Sequence, residues 1–488
     1  MVSTPLHSTS VALALVALLS TCAAARDRYV DPVHGNDRND GWSATSDGQG
    51  HGPVRTIHYG VRLAEPGDVV HLAPSDEPYR ESVVLHDRIC PTDKPITVDG
   101  HGATITGADP IDLATWEQVA PGRYRKVDLL RTDPAVLGRY FFRFNGKMQH
   151  MNRTSKGPSA PLKAPGDLKP AEWTFVEAER AFYVQIDPAK QPSDYVIEAP
   201  LRSSGVQVSG RNENLVVRNL NIRHVYNDGF NIHNYCRNVR FENISAVECG
   251  DDGISAHDDC RILVSDFTSI GNSTGFCHTN DSHSDTDGAY IRDCLGFDVF
   301  VLDTGKHRLT NALIESSAAQ SVYVVGPQRV AGNENNPARY TLEMENVALV
   351  RRGNNEHVKL QAGSIVRATR CTLAGFNVTA SGDSLELRNS IVAAPDRELV
   401  IAATTKFVAA DNLYDLAQVR IGETVLNRDR DRAAAAADGE AAKLGGRWAS
   451  INLHDPFHGR IVEPADFEGG ADVRETPSSK HQSPNKSQ

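Results

Sequence analysis

The sequence is short of aromatic residues, of long apolar runs and of basic side chains. Phe, Trp and Tyr make up 7% of the 488 residues, which argues against a glycan-binding protein built on exposed aromatic platforms. Lys and Arg number 51 against 62 Asp and Glu, and the net charge of −11 excludes nucleic acid and anionic membranes as expected partners. Beyond the N-terminus no apolar stretch approaches the roughly 20 residues of a membrane-spanning helix, so we expect no transmembrane segment.

The N-terminus carries the pattern of an export signal. A short apolar run at 11–19 is followed by the small residues Ala23–Ala25. This predicts a signal peptide over residues 1–25 and a secreted, periplasmic or cell-surface protein. The segment Leu19-Ser20-Thr21-Cys22 leaves lipoprotein anchoring as an alternative.

A repeat of about 24 residues is the most informative feature present. Residues 227–236, Asn-Asp-Gly-Phe-Asn-Ile-His-Asn-Tyr-Cys, return at 251–260 as Asp-Asp-Gly-Ile-Ser-Ala-His-Asp-Asp-Cys. Repeats of about 20–50 residues indicate a solenoid, whose units bury apolar side chains by stacking on their neighbours. Equivalent residues of successive coils then lie about 4.8 Å apart, the spacing of paired strands. The repeat predicts columns that pair Asn219 with Asn243, Asp228 with Asp252, His233 with His257, and Cys236 with Cys260.

Two of these columns bear on stability. We expect Asn219 and Asn243 to form an internal, buried side-chain ladder. Cys236 and Cys260 fit either a disulfide or a stack of buried thiols, because both arrangements suit the strand spacing.

Short apolar segments between Gly, Pro and Asp predict strands that wind through three faces in each coil. The fold class we predict is therefore an all-β, right-handed parallel β-helix over residues 26–425. Thr56 is placed to cap a short N-terminal helix that would cover the first coil. The strand rhythm breaks at about 135–200, which we interpret as a β-rich excursion. Residues 426–468, with an alanine-rich run, predict a C-terminal helical cover, and the polar residues 469–488 predict a disordered tail.

Several segments resemble the pectin-lyase-like superfamily. The resemblance rests on the opening Tyr29–Gly41, the helix stop Pro66-Gly67-Asp68, the segment Pro95–Gly107 and the segment Leu168–Trp173. It covers about residues 28–425 and implies a secreted parallel β-helix. Because many members of that superfamily cut or bind polysaccharides, a polysaccharide is the expected partner, although a fold alone does not fix a reaction.

Acidic and histidine side chains are concentrated between Asn227 and His283. Asp-Gly pairs also suit turns. However, so many carboxylates on consecutive coils repel one another, which favours a bound cation or a substrate contact over chance. His233 and His257 fit either a stacked structural pair or a substrate contact.

Glycoside hydrolysis is the first chemistry that fits. Asn227-Asp228-Gly229, Gly250-Asp251-Asp252, His278 and the Lys306/Arg308 pair resemble, in order and approximate spacing, the motifs of the polygalacturonase family. That resemblance implies that Asp228 and Asp251 activate water and that Asp252 is the general acid. It also implies that Lys306 or Arg308 binds a uronate carboxylate.

β-Elimination from a uronate polysaccharide is the second chemistry. A base would remove the proton beside the uronate carboxylate, whose charge a Ca²⁺ ion would neutralise. Lys306 or His278 is the candidate base, and Arg329, about one coil after Lys306, is a candidate substrate contact. The candidate calcium ligands are Asp251, Asp252, Asp258 and Asp259.

A non-catalytic glycan-binding or adhesin β-helix is the alternative to an enzyme. We expect an exported, monomeric protein that acts on a polysaccharide as a lyase or hydrolase, with Ca²⁺ as the candidate cofactor.

Overall fold

The structure, a computed structural model, describes residues 26–130, 134–156, 159–327, 341–353, 357–426, 444–450, 452–455, 460–463 and 470–471. Strands stacked in parallel form a solenoid of about nine turns, which confirms the predicted parallel β-helix. The predicted signal peptide at 1–25 lies outside the described residues. So do the tail beyond residue 471 and the alanine-rich run of the predicted helical cover.

The N-terminal cap forms as the sequence predicts. The hydroxyl of Thr56 accepts a hydrogen bond from the backbone N–H of Tyr59 at 3.2 Å, and helix α1 (Ile57–Leu63) follows. Such a cap contributes about 1 kcal/mol to helix stability. The helix buries Ile57 and Val61 against the first coil. The N-terminal coils contain β1 (Asp27–Val30), β2 (Val69–Leu72), β3 (Val83–His86), β4 (Ile96–Asp99) and β5 (Thr104–Thr106). Strands β1, β2 and β4 pair in parallel in that order, so they belong to consecutive coils.

After β5 the chain leaves the solenoid and forms two antiparallel, four-stranded sheets. Their strands are β6 (Ala108–Pro110), β7 (Glu117–Ala120), β8 (Arg123–Val127), β9 (Phe142–Phe144), β10 (Lys147–Gln149), β11 (Glu172–Val176), β12 (Ala181–Gln185) and β13 (Ile197–Pro200). Helix α2 (Pro134–Arg139) lies between β8 and β9. The excursion therefore spans residues 108–200 in the structure and begins earlier than the break in strand rhythm indicates.

The few aromatic residues of the chain are concentrated in the excursion. Tyr140, Phe142, Trp173 and Phe182 are fully buried, with ring centroids 5.0 to 6.0 Å apart. Edge-on and tilted contacts of this kind are the favoured geometries of aromatic pairs. The excursion thus has its own apolar core, separate from that of the solenoid.

Short and long strands alternate through the regular coils. They are β14 (Val206–Ser209), β15 (Arg211–Arg223), β16 (Phe230–Ile232), β17 (Tyr235–Val247), β18 (Asp252–Ala256), β19 (Asp259–Ile270), β20 (Thr274–His278), β21 (His283–Arg292), β22 (Phe297–Leu302), β23 (Lys306–Ser316), β24 (Gln320–Val325) and β25 (Leu342–Arg351). The short strands stack on one another to make the first face of the solenoid. Each long strand contributes to both the second and the third face.

The last coils are less regular. Their strands are β26 (His357–Leu360), β27 (Ile365–Thr369), β28 (Thr372–Ala374), β29 (Asn377–Ala380), β30 (Ser384–Arg388), β31 (Ile391–Ile401), β32 (Lys406–Ala410), β33 (Asn412–Ile421), β34 (Thr424–Leu426), β35 (Gly446–Trp448), β36 (Asn452–Asp455) and β37 (Arg460–Glu463). Strands β35, β36 and β37 lie within the segment 426–468 that the sequence predicts to be helical. Among the residues that the structure describes, no helix has the length and apolar content needed to cross a membrane.

The long strands contain a left-handed residue at the bend between the second and third faces. This corner residue has a φ of +52° at Asn219, +51° at Asn243 and +53° at Asp266. Asn and Asp tolerate this conformation better than other residues with a Cβ atom. Asn243 donates a side-chain hydrogen bond to Asn219 at 2.8 Å, so the predicted ladder exists. Its predicted burial is wrong for Asn243, which is exposed because the bend is convex.

The interior of the solenoid follows the 24-residue register. Phe230 lies beside Ile254, and Cys236 lies beside Cys260. Both cysteines are fully buried free thiols, so of the two arrangements left open by the sequence the structure has the thiol stack.

Candidate active site

Three buried carboxylates meet at the N-terminal end of the first face. The backbone N–H of Asp252 donates to the Oδ1 atom of Asp228 at 3.1 Å, which confirms that these residues are neighbours in consecutive coils. Asp228, Asp251 and Asp252 each place a carboxylate oxygen within 4.8 Å of the others. Their side chains are almost inaccessible to solvent, so water does not disperse their charge. We call these three residues the carboxylate cluster.

A lysine of the excursion supplies the counter-ion. The Nζ atom of Lys156 lies 2.5 Å from the Oδ1 atom of Asp251 and 2.6 Å from that of Asp252. Lys156 precedes Asp251 by 95 residues, so only the fold brings them together. The sequence analysis missed Lys156 because it lies in a Pro- and Lys-rich stretch without a repeat. The sequence indicated Lys156 only indirectly, because adjacent buried carboxylates require a cation beside them.

Two further residues of the excursion hold Asp251. The hydroxyl of Ser155 donates a hydrogen bond to Asp251, and the guanidinium of Arg139 lies 3.4 Å from its Oδ2 atom. Gly250 permits this approach. A Cβ atom at that position would lie 2.2 Å from the carbonyl oxygen of Arg139. The glycine before the acidic pair is therefore needed for the excursion to pack on the solenoid.

The three carboxyl groups have different proton affinities. Burial, followed by the charge of Asp251, raises the pKa of Asp252 to about 7. Burial also opposes ionisation of Asp251, but the ammonium of Lys156 and the hydrogen bond from Ser155 lower its pKa to about 2. Burial, with Asp252 as a second cause, raises the pKa of Asp228 well above its usual value. At neutral pH Asp251 is therefore ionised, and Asp252 is close to its midpoint.

Lys156 remains an ammonium ion in this setting. Burial acts to lower its pKa, but Asp252, Cys277 and Asp251 raise the pKa well above the usual value. Lys156 can thus supply positive charge, but it cannot accept a proton at neutral pH.

A histidine and two small polar residues continue the site along the first face. The Nε2 atom of His257 lies 2.5 Å from the hydroxyl oxygen of Ser255, and Ser255 stacks beside Cys277 of the next coil. His257 also stacks on His233, with ring centroids 4.4 Å apart and planes 1° from parallel, as the predicted column requires. Burial, followed by the proximity of His233, lowers the pKa of His257 to about 4, so this ring is neutral at neutral pH.

Aromatic rings occupy the column of Ser255 and Cys277 two and three coils beyond Ser255. Phe300 lies beside Cys277, and Tyr323 lies beside Phe300. The rings of Phe300 and Tyr323 are stacked with centroids 5.5 Å apart, and Phe297 packs against both. Phe300 and Tyr323 are half-buried, which leaves part of each ring at the surface. We call Phe297, Phe300 and Tyr323 the aromatic platform; the low aromatic content of the chain gave no sign of it.

His278 does not join the carboxylate cluster. It occupies the column of Ala256, inside the solenoid, and only 2% of it is exposed. Its ring stacks on that of His307 at 4.9 Å, and neither of its nitrogen atoms has a hydrogen-bond partner. Burial, followed by the proximity of His257, lowers the pKa of His278 to about 3. This position does not suit the catalytic role that the sequence indicated, since a substrate on the outer surface cannot reach the ring.

The predicted basic residues lie on another face. Lys306 and Arg308 belong to β23, which pairs with β21 on the second face. Arg308 contacts Asp285, Glu343 and Glu345 in an open cleft of about 470 Å³. The structure therefore separates Lys306 and Arg308 from the carboxylate cluster. Arg329 lies outside the described residues.

The four predicted calcium ligands do not converge. Asp258 accepts a hydrogen bond from the backbone of Asn234, and Asp259 pairs with Arg237 at 2.6 Å. The carboxylates that do meet, Asp251 and Asp252 with Asp228, have the ammonium of Lys156 between them. These residues therefore do not fit a calcium ion unless Lys156 moves.

Comparisons with known proteins show the fold alone. No family model matches the sequence, and no curated protein matches it. Among solved structures, that of XylC in complex with xylose has a TM-score of 0.50 at 12% identity, covering 80% of this chain and 83% of that one. Pectate lyase Pel9A has a TM-score of 0.39 at 14% identity, covering 73% of this chain and 78% of that one. A lacto-N-biosidase from Eubacterium ramulus has a TM-score of 0.30 at 12% identity, covering 82% of this chain and 67% of that one.

The class of protein that these features define is a parallel β-solenoid with a buried acidic site. Its fold is the parallel β-helix that the sequence predicts. The pectate lyase and the lacto-N-biosidase are only weakly similar to this chain in structure.

Proposed function

We propose that this protein is a carbohydrate-active enzyme that hydrolyses a glycosidic bond at the carboxylate cluster. The observation that carries the proposal is the opposite shift of two adjacent carboxyl groups, with a pKa of about 7 at Asp252 and about 2 at Asp251. Pairs of carboxyl groups whose environments separate their pKa values take the roles of acid and base in hydrolases.

Each residue has a distinct role in this proposal. Asp252 in its protonated form donates a proton to the oxygen of the departing sugar. Asp251, ionised, attacks or stabilises the positively charged sugar that develops at the transition state. Lys156 keeps Asp251 ionised. Burial raises the pKa of Asp228 well above its usual value, which opposes the ionised form that the base role implied by the polygalacturonase resemblance requires.

The spacing of the cluster favours retention of configuration. The nearest oxygens of the three carboxylates lie within 4.8 Å of one another. Retaining glycosidases hold their carboxyl groups about 5–5.5 Å apart, whereas inverting enzymes need about 6.5–9.5 Å to admit a water molecule. An upper limit of 4.8 Å is too short for inversion, so of the two mechanisms the cluster favours retention.

The aromatic platform supports a carbohydrate substrate. It lies on the same face as the cluster, two coils further along, and presents partly exposed rings. A flat ring packs well against the C–H face of a sugar, and clefts that combine apolar walls with a few polar groups are typical of ligand sites. The export predicted from residues 1–25 suits a glycan outside the cell.

A panel of neutral and uronate-containing glycans tests the proposal. We expect new reducing ends without ultraviolet-absorbing unsaturated products, and NMR should show that the first product retains its anomeric configuration. Asp251→Asn and Asp252→Asn should each lower kcat by at least about 100-fold, the scale of general acid catalysis. The control is Asp285→Asn on the second face, which should leave kcat unchanged.

Other outcomes separate the alternatives. Unsaturated products would identify β-elimination instead. If no glycan is cleaved but Tyr323→Ala abolishes glycan binding, the non-catalytic alternative is correct, because the platform alone would account for the interaction.

A further inference from the structure

A second set of ligand-type atoms lies beside the carboxylate cluster. Asp252, His257 and Cys277 each offer one such atom, and these atoms lie within 4.8 Å of one another. Asp252 begins β18, His257 follows the end of that strand, and Cys277 belongs to the adjacent β20. All three side chains project from the first face, beneath the excursion. Asp252 and Cys277 are buried and His257 is half-buried.

The hydrogen bonds of His257 leave the lone pair on Nε2, where the hydroxyl of Ser255 donates to it, so a metal ion would take the place of that hydroxyl. The hydroxyl of Thr279 donates to Asn280 at 3.2 Å and lies 2.7 Å from the Nδ1 atom of His257. Because Thr279 has one hydroxyl hydrogen, it accepts the N–H of His257, and the proton of the neutral ring is on Nδ1. The lone pair is then on Nε2, which faces Ser255. A histidine fixed through its other nitrogen is the usual arrangement at metal sites.

We propose that Asp252, His257 and Cys277 form a site for a transition-metal ion of the Zn²⁺ class. Carboxylate, imidazole and thiolate are the three ligand types that Zn²⁺ accepts, and three protein ligands leave a fourth position for water. Ca²⁺ and Mg²⁺ do not select this set, because they take oxygen ligands. The inference does not rest on the proposed function and describes a different state of the site, since Asp252 must be ionised to bind the ion and protonated to act as the general acid.

Binding of the ion has two consequences for the surrounding residues. The thiol of Cys277 must release its proton to become a ligand, so metal binding releases a proton to solvent. Lys156 bonds to the Oδ1 atom of Asp252, the carboxylate that would hold the metal. The ammonium of Lys156 repels an incoming cation, so Lys156 and the metal compete for the same carboxylate.

Direct binding experiments on the full mature chain test the site. Equilibrium dialysis should give one Zn²⁺ per chain, and Co²⁺ should give a near-ultraviolet thiolate-to-metal absorption band. Cys277→Ser should remove the band and weaken Zn²⁺ binding more than about 100-fold, since loss of an outer partner alone costs about 10- to 100-fold. The matched control, Cys371→Ser, changes another buried free thiol and should keep both properties.

Two further variants keep the test decisive. His257→Gln should weaken binding without removing the thiol, so it serves if Cys277→Ser fails to fold. Lys156→Gln should strengthen binding by about tenfold, because it removes the repelling charge. The proposal is overturned if the wild-type chain binds neither ion, or if Cys277→Ser keeps the band. Equal losses in Cys371→Ser and Cys277→Ser would also overturn it, since they would indicate non-specific thiol binding.

Discussion

At the scale of single residues, Lys156 decides the charge state of the site. It is the cation that bridges Asp251 and Asp252, and its side chain is 21% exposed against 10% and 3% for those carboxylates. Removing one partner of a buried ion pair costs more than the pair itself contributes, because the charge left behind is unpaired. Lys156 should therefore affect stability as well as chemistry.

Lys156→Met should lower the free energy of unfolding by about 3 kcal/mol at neutral pH. The matched control is Lys163→Met in the same excursion. Lys163 pairs with Glu172, but its side chain is 37% exposed, so the change should cost less than about 1 kcal/mol. Urea unfolding of both variants measures the difference. Equal costs would mean that the buried position of Lys156 gives it no special weight.

Because His278 is buried, we expect the folded protein to lose stability in acid. A histidine in an unfolded chain titrates near pH 6.5. Burial lowers the pKa of His278 to about 3, so below pH 6.5 the unfolded chain takes up a proton that the folded chain does not. Stability is therefore lost progressively as the pH falls from 6.5 towards 3. The raised pKa values of Asp252 and Asp298 act in the opposite direction, so a variant must isolate the histidine.

His278→Leu should gain stability over the wild type as the pH falls. The difference in free energy of unfolding should grow by about 1.4 kcal/mol for each pH unit below 6.5. The variant leaves Arg261 and His283 unchanged, and these residues lower the pKa of the stacked His307. Thermal or urea unfolding between pH 4 and 7.5 measures the trend, with exposed His86→Leu as the control. A difference that does not vary with pH would contradict the prediction.

At the scale of elements, the corner residues determine where each long strand bends. The 24-residue repeat predicts that Asn219 and Asn243 pair, but it does not reveal their left-handed φ values or the exposure of Asn243. Burial of a turn residue depends on which side of the bend faces solvent. That follows from three-dimensional curvature and is not apparent from the identity of the residue.

Asn243→Ala should cost about 1–2 kcal/mol because alanine resists the left-handed conformation. The variant also loses the hydrogen bond to Asn219. Asn243→Gly loses the same bond but adopts positive φ without strain, so it should be the less costly change. Urea unfolding of the two variants gives the order. A glycine variant less stable than the alanine variant would show that the side-chain ladder outweighs the backbone conformation.

At the scale of the whole molecule, the 24-residue repeat revealed the solenoid but not the excursion that covers the carboxylate cluster. The repeat predicts the parallel coils, the adjacency of Asp228 and Asp252, and the stack of His233 on His257. It could not predict Lys156, whose contact with Asp251 spans 95 residues and belongs to no repeat. The resemblance to polygalacturonase motifs placed His278 in the site, but adjacent positions on a strand face opposite sides, and His278 lies in the interior column of Ala256.

In the chain, the excursion that carries Lys156 lies between the N-terminal coils and the coils that hold Asp251 and Asp252. Mutation can therefore act on the two halves of this centre separately. Exchange of the excursion would replace Lys156 and the cover of the site, while the solenoid would keep the carboxylate cluster. A protein with this arrangement can change its chemistry by recombination at the two ends of the excursion, with no change in the solenoid.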